Sequence, residues 1–381
     1  KVDLDSKVIG ISSMFSHEWT YVRDCITKLK KKFPSIPIIA GGEHITALSE
    51  YSLRDCKSLD YAALGEGEET IVDFCKQIEK GKSPNQVDGI CRLSQNKYVK
   101  NSPRRRIKNV DQIPWPDWDV FNIEPYLDNS ISFGASFGRN IPILATRGCP
   151  YQCTFCSNLE MWTKRYYMRK PEDVIDEIKY YIEKYKVTGI QFYDLTAIVK
   201  KQWIIEFCNK YIENKLSIEW SLPSGTRSEA LDEEVLQMLS KTNLRYLVYA
   251  PESGSKNMLE KIKKRITLSS MIHSVKSAVR KNIDVRTNFI IGFPNETRKD
   301  LYKTFIIHLQ FALIGVDDIP LYPFQPYPGT EIFNDLVSKQ RIKLNDQYFD
   351  SLATLSTGRL SPPDNSYSEH IGRLELYFYR C

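Results

Sequence analysis

No run of this 381-residue chain approaches the roughly 20 consecutive apolar residues that a bilayer-spanning helix needs, so no membrane span is expected. Cysteine is sparse and odd in number, at 9, which argues against a disulfide scaffold in so long a chain. There is little excess of charge: 53 Lys and Arg against 47 Asp and Glu leave +6. That balance supplies no strong basic stripe, so nucleic acid is not an expected partner. The clusters Lys28–Lys32 and Arg104–Arg106 read as solvated faces. No signal peptide is read ahead of the first strand. The start at Lys1 and the abrupt end at Cys381 suggest a fragment. Apolar residues make up 42%, with a mean hydropathy of −0.38, enough for one large or two smaller globular domains.

What the chain does have is the run Arg147-Gly148-Cys149-Pro150-Tyr151-Gln152-Cys153-Thr154-Phe155-Cys156. Thiolates at C-x3-C-x2-C spacing can grip three irons of a [4Fe–4S] cubane and leave the fourth without a protein ligand. An open iron is a place to bind and reduce something, which points to an enzyme rather than an electron carrier. A zinc site would want a fourth Cys or His at close spacing, and none of the 5 His lies near this loop. Cys25, Cys56, Cys75, Cys91 and Cys208 read as small core residues. Free thiols and an oxygen-sensitive cluster both suit a reducing cytoplasm.

The fold class expected is α/β. Strands are read at Val8–Ile11, Ile36–Ala40 and Leu59–Leu64, with helices between them, and a small hairpin follows, turning near Gln95-Asn96. Residues 1–100 thus form an incomplete Rossmann-like domain. Residues 101–140, with Pro114-Trp115-Pro116, read as a linker. From Ile141 a second series begins, with strands at 141–146, 189–193, 217–222, 244–250, 284–291 and 318–325. Val174, Ile175, Ile178, Tyr181, Ile182 and Tyr185 recur at helical spacing between two of them. Six βα units over 141–335 predict a partial (βα)6 barrel, whose ligands collect at the carboxyl ends of the strands. The cysteine loop directly follows the first of these strands. Residues 336–381 form a C-terminal extension, expected to be truncated, with no readable motif.

With these motifs in order, the chain resembles the radical S-adenosylmethionine (SAM) enzymes, in the branch with an N-terminal cobalamin-binding domain. The resemblance implies that SAM chelates the open iron and that reductive cleavage yields a 5′-deoxyadenosyl radical. It assigns Phe155 to the adenine, Asp194 to the methionyl amino group, Arg227 to the methionyl carboxylate and Glu252-Ser253 to the ribose hydroxyls. Backbone near Ile290 would approach adenine. Each has a plainer alternative: core packing for Phe155, a helix N-cap for Asp194, a salt bridge for Arg227, a solvated turn for Glu252. Leu195 stands where the branch often has a second acid. Glu296 reads as a helix-start acid, and Pro326-Tyr327-Pro328-Gly329-Thr330 as a plain turn.

In the first domain, Ser12-Ser13-Met14 and Gly41-Gly42 resemble two of three signatures that cradle the lower face of cobalamin, and Gly65-Glu66 is typical of the same branch. The third signature, Asp-x-His-x-x-Gly, is absent; His17 and His44 lack its context and read as surface residues. The implied cofactors are therefore a [4Fe–4S] cluster, SAM and cobalamin. The implied reaction is C-methylation of an unknown small-molecule or peptide substrate, with flavodoxin or ferredoxin as reductant. Oxidative cyclisation or rearrangement on the same scaffold is the alternative. A cobalamin-binding sensor or an electron-transfer protein is the non-enzyme alternative, and neither explains an open cysteine triple.

Overall fold

The computed structural model describes residues 5–227, 230–353 and 365–380. Its first sheet is built from β1 (Ile9–Ser12), β2 (Ile38–Gly41), β3 (Tyr61–Ala63), β4 (Ile90–Ser94) and β5 (Lys97–Lys100), adjacent in that order. β1, β2 and β3 run parallel, while β4 and β5 form the hairpin and pair antiparallel. Gln95 and Asn96 turn it with φ of 49° and 62°, the left-handed pair that suits the twist of a two-residue hairpin. The helix Trp19–Lys32 crosses from β1 to β2 and buries Trp19 and Ile26 against the sheet.

After β6 (Asn140–Ile143), β7 (Thr146–Arg147) and β8 (Tyr167–Met168) make a short antiparallel ladder around the cysteine loop. β9 (Gly189–Phe192), β10 (Glu219–Thr226), β11 (Leu244–Glu252), β12 (Asp284–Ile291) and β13 (Leu321–Pro323) then join β6 in one parallel sheet. Its order is β13-β12-β11-β10-β9-β6, so every strand lies beside its predecessor and the sheet curves into a partial barrel. Helices cover its outside because their apolar faces fit it. Pro171–Tyr185 starts on a proline at its first turn, buries Val174, Ile175, Ile178, Tyr181 and Tyr185, and stops at left-handed Lys186. Each such aliphatic side chain contributes about 1.5–3 kcal/mol by leaving water, so Ile178→Asp would break this face.

Two irregularities carry strands further than their sequence suggests. β10 continues through Pro223-Ser224-Gly225 with a register shift between Leu222 and Thr226, and β11 shifts between Tyr249 and Glu252. Those bulges bring Arg227 and Glu252 to the rim.

The C-terminal helices fold back rather than trailing away. Phe333, Leu336, Tyr348, Phe349 and Leu352 share one apolar cluster with Ile9, Ile38 and Ala40 of the first sheet. Leu376 of the helix Arg373–Arg380 sits where a Cβ on Gly292 would be. Within 101–140, a short helix Glu124–Asp128 places Leu127 in the barrel's core. Residues 354–364 and Cys381 of the expected extension lie outside the described residues. Among the described residues, no helix is long and apolar enough to cross a membrane.

Two expectations about buried residues are corrected. Cys25 and Cys75 are exposed, on outward faces of their helices, whereas Cys56, Cys91 and Cys208 are buried. His44 is not a surface residue: it is 1% exposed, stacked 4.7 Å from Trp19, with Ser16 and Ser52 at its two ring nitrogens. Burial lowers its pKa to about 3.

Candidate functional site

The cysteine loop leaves β7 through Gly148, whose φ of 90° a side chain would strain and whose missing Cβ leaves room for the Arg165 carbonyl. Its backbone is pinned on both sides: the Thr154 N–H donates to the Ile262 carbonyl at 3.0 Å, and the Ile332 N–H to the Thr154 carbonyl at 3.1 Å. Asn158 donates to the Cys149 carbonyl at 2.9 Å. Cys149, Cys153 and Cys156 are all unpaired and only partly exposed. Burial raises all three thiol pKa values, that of Cys156 to about 12; the Cys153 thiolate raises Cys149 further, and both raise Cys156. Three soft donors that repel one another as thiolates are chemically suited to iron, which would displace their protons. Among the described residues, no three His, Cys, Asp or Glu side chains close round a single ion. Thiols that each meet a different iron of a cubane do not need to.

The structure brings three of the expected SAM residues to one cavity. Phe155, Glu252 and Ile290 line it together with Asn288, Tyr322, Gln325 and Tyr327. Phe155 also packs edge-on against Phe293 at 5.7 Å, so core contact and cavity lining coexist. Glu252 is held at a φ of 64°, an uncommon conformation for a residue with a side chain, and accepts a 2.9 Å bond from Lys264. Both side chains are 9% exposed, so the solvated-turn alternative does not describe it. Burial opposes the Lys264 charge, but Glu252 and Cys153 outweigh it and its pKa is raised. The buried Gln325 Oε1 has no partner among the described residues, leaving an acceptor in the cavity wall for an incoming donor.

The other SAM candidates sit elsewhere. Ser253 is fully buried and its hydroxyl meets that of Thr304 at 3.2 Å, facing a helix and not the cavity. Asp194 is neither exposed nor an N-cap: it accepts from the Ala145 N–H at 3.2 Å and from the Thr146 hydroxyl, and burial raises its pKa to about 6. Arg227 lies 3.6 Å over the Tyr151 ring and donates to the Arg265 carbonyl, which fixes it above the loop between Cys149 and Cys153. Glu296 is corrected as well. Thr297 and Asp300 form the capping box of the next helix, while Glu296 is fully buried and accepts from the Gly292 N–H at 2.5 Å. Burial pushes its pKa to about 7. Sequence reasoning missed Asn288 and Lys264. The period-two pattern of β12, with Arg286, Asn288 and Ile290 on the less buried face, was the available signal for the first; nothing local marks the second.

The cobalamin candidates gather at the carboxyl ends of β1, β2 and β3. Gly42 has a φ of 109° and no room for a Cβ, which would stand 2.4 Å from the Ser13 carbonyl oxygen. Gly41 accepts from the Ser13 N–H at 2.7 Å, Ser12 is exposed, and Met14 and Phe15 are 44% and 57% exposed on the same rim. The buried Ser13 hydroxyl has no partner among the described residues. Exposed apolar side chains, close backbone and an orphan hydroxyl fit a bulky ligand with a polar tail. Gly65 is held by Thr46, at 3.0 Å. Glu66 is committed elsewhere: its carboxylate takes Arg106 at 2.8 Å, the Ile107 N–H at 2.9 Å and Arg147 at 3.2 Å. Arg147 and Arg106 flank Trp162 at 5.8 and 5.1 Å, and Ser157, beside Cys156, donates to Glu43. The two rims thus share a wall.

Comparison with known proteins places these features in a family. The profile of the radical SAM superfamily matches residues 143–305, and that of the B12 binding domain residues 2–74. An uncharacterized methyltransferase of Pyrococcus horikoshii is 29% identical over 331 residues, covering 86% of this chain and 69% of that protein. The anaerobic magnesium-protoporphyrin IX monomethyl ester cyclase of Cereibacter sphaeroides is 26% identical, covering 80% of this chain and 49% of the cyclase. Among solved structures, the radical SAM methyltransferase TsrM of Kitasatospora setae, bound to tryptophan and aza-SAM, superposes with a TM-score of 0.72. It is 15% identical, and the match covers 88% of this chain and 66% of that one. The chain therefore spans between about half and two thirds of the length of these proteins. Profile, fold and cysteine loop agree: residues 143–305 form a radical SAM superfamily domain, and residues 2–74 ahead of it a B12 binding domain.

Proposed function

We propose that the protein is a cobalamin-dependent radical SAM methyltransferase that methylates an unactivated carbon of a small-molecule or peptide substrate. The observation that carries this reading is the shared wall: Glu43 and Glu66, just beyond β2 and β3, bond Ser157 and Arg147 on either side of the cysteine loop. A methyl carrier and a radical generator must reach one substrate carbon, and adjacent rims support that. When bound, the cluster supplies one electron to the SAM sulfonium and cobalamin supplies a transferable methyl group.

The chain's residues orient and shield. Cys149, Cys153 and Cys156 hold the cluster; Phe155 and Ile290 flank the adenine; Glu252 accepts from the ribose hydroxyls while its bond from Lys264 fixes its orientation. Asp194 braces Ala145 and Thr146 at the loop's entry, a positioning role. A flavodoxin or ferredoxin in a reducing cytoplasm is the electron source. The second reading, oxidative cyclisation, is favoured by the similarity to the magnesium-protoporphyrin cyclase.

Anaerobic reconstitution with iron and sulfide, reduction with SAM present and mass spectrometry separate these readings. Wild type should release 5′-deoxyadenosine and Cys156→Ala none. A methyltransferase also releases S-adenosylhomocysteine, since a second SAM is spent as methyl donor. 5′-Deoxyadenosine alone, with cobalamin and candidate substrate present, would favour cyclisation. No product from a protein with an intact cluster spectrum would overturn both.

A further inference from the structure

A second cavity, of about 650 Å³, lies behind the cysteine loop and is not part of the SAM cavity. The segment Lys256–Ser269 builds it, with Leu259, Ile266 and Leu268 among its apolar lining and Lys256, Lys263 and Arg265 as exposed cations around them. Glu260 is the one acid among the lining residues, and Glu331 pairs with Lys263 from outside at 2.6 Å. This surface is one residue thick where it meets the loop. The Lys263 carbonyl stands 4.0 Å from the Cys153 sulfur, and the neighbouring Ile262 carbonyl accepts the Thr154 N–H.

From this we infer that the cavity of residues 256–269 is the docking surface for an acidic one-electron carrier, which reduces the site held by Cys149, Cys153 and Cys156 across the Lys263 wall. The inference rests on the proposed cluster. Three observations support it. Net positive charge around an apolar floor is the arrangement that steers and briefly holds an acidic partner. A single residue of the cavity's lining, Lys263, stands between it and the Cys153 sulfur, its carbonyl 4.0 Å away. The cavity shares no lining residue with the SAM cavity and meets it only through the Lys264–Glu252 pair. The step balances simply: the carrier loses one electron, the cluster gains it, and no bond forms or breaks.

The test uses the reconstituted protein and an acidic flavodoxin as probe. Stopped-flow absorbance follows cluster reduction by flavodoxin hydroquinone, with dithionite in parallel. For wild type the flavodoxin rate should fall about tenfold or more as salt rises from roughly 0.05 to 0.5 M. The double variant Lys256→Glu, Arg265→Glu should lower the flavodoxin rate about tenfold at low salt and leave the dithionite rate unchanged. A control reversal at the distant exposed lysines, Lys28→Glu with Lys31→Glu, should leave both rates unchanged. An equal flavodoxin rate in wild type and double variant, or an equal loss in the control, would overturn the inference.

Two further readouts keep the outcome decisive if a variant misfolds or the cluster does not assemble. Flavodoxin should protect Lys256 and Lys263 of the wild-type chain from amine acetylation, and it should bind a cluster-free Cys149→Ala protein in a salt-sensitive way. Absence of both overturns the docking surface. A cluster that never assembles, with protection intact, overturns the proposed function and leaves the surface standing.

Discussion

The two sheets present their ligand-facing rims in different chemical currencies. At the ends of β1, β2 and β3, apart from Glu43 and Glu66, which are taken up by Ser157, Arg106 and Arg147, the rim is backbone and neutral side chains: Gly41, Gly42, Gly65, Ser12 and Met14. At the ends of the barrel strands it is ionisable and buried: Asp194, Arg227 and Glu252, with Lys264 behind. The contrast follows from what each rim is suited to hold. A large ligand with a long neutral tail needs close approach, which glycine permits by omission. A small zwitterion with ribose hydroxyls needs charges fixed in advance, and fixed buried charges demand partners. One rim is therefore vulnerable to added atoms and the other to lost charges.

The largest expected effect tests the second half of that contrast. Glu252→Gln leaves the Lys264 ammonium buried without its carboxylate, and removing one partner of such a pair costs about 3–5 kcal/mol. Urea unfolding of the cluster-free protein should show a loss of that order, together with weaker SAM binding. A loss below about 1 kcal/mol would mean that water reaches the pair.

Next comes pH, where the two regions should respond with opposite sign. In the first, His44 is neutral when folded, with a pKa of about 3, and binds a proton more readily when unfolded. Its contribution is present above the ordinary histidine value and is lost as pH falls from about 6.5 towards 3. In the barrel, Asp194 and Glu296 have folded pKa values raised to about 6 and about 7, so the native state binds more protons than the unfolded one. Their contribution is present in acid and lost as pH rises from about 4 to about 7. Chemical denaturation against pH should show His44→Phe flattening the acid limb and Asp194→Asn with Glu296→Gln flattening the other, each by on the order of a few kcal/mol. Variants that flatten the same limb would dissolve the comparison.

The smallest effect concerns added atoms. Gly42→Ala forces a side chain into a glycine-only conformation and against the Ser13 carbonyl, costing about 1–3 kcal/mol. Cobalamin affinity, read by absorbance titration, should fall while SAM affinity holds. Gly67→Ala, with nothing within 4 Å of the new Cβ, should change neither.

Local pattern made much of this legible. The helix Pro171–Tyr185 followed from apolar spacing, the hairpin from Gln95-Asn96, and the six barrel strands from their alternation with helices. What escaped was set by distant partners. The strand read at 217–222 goes further, since pairing with β11 carries it through Pro223-Ser224-Gly225 as a bulge. His44 reads as a surface residue until Trp19 covers it. Glu296 resembles a helix-start acid, but the turn at Gly292 draws it inward. Lys264 matches no motif, and only the fold brings it to Glu252. Of the SAM candidates, Phe155, Glu252 and Ile290 converge because strand order alone delivers them, whereas Ser253 turns away because a neighbouring helix claims its hydroxyl.

The Glu66 carboxylate has a consequence for how the protein matures. It gathers Arg106 and Arg147 from two later parts of the chain, and Arg147 lies two residues ahead of Cys149. An arginine cannot find that carboxylate until the turn after β3 exists. The entry to the cysteine loop is therefore tied by Arg147 to the turn that follows β3, so its placement depends on the first sheet being formed.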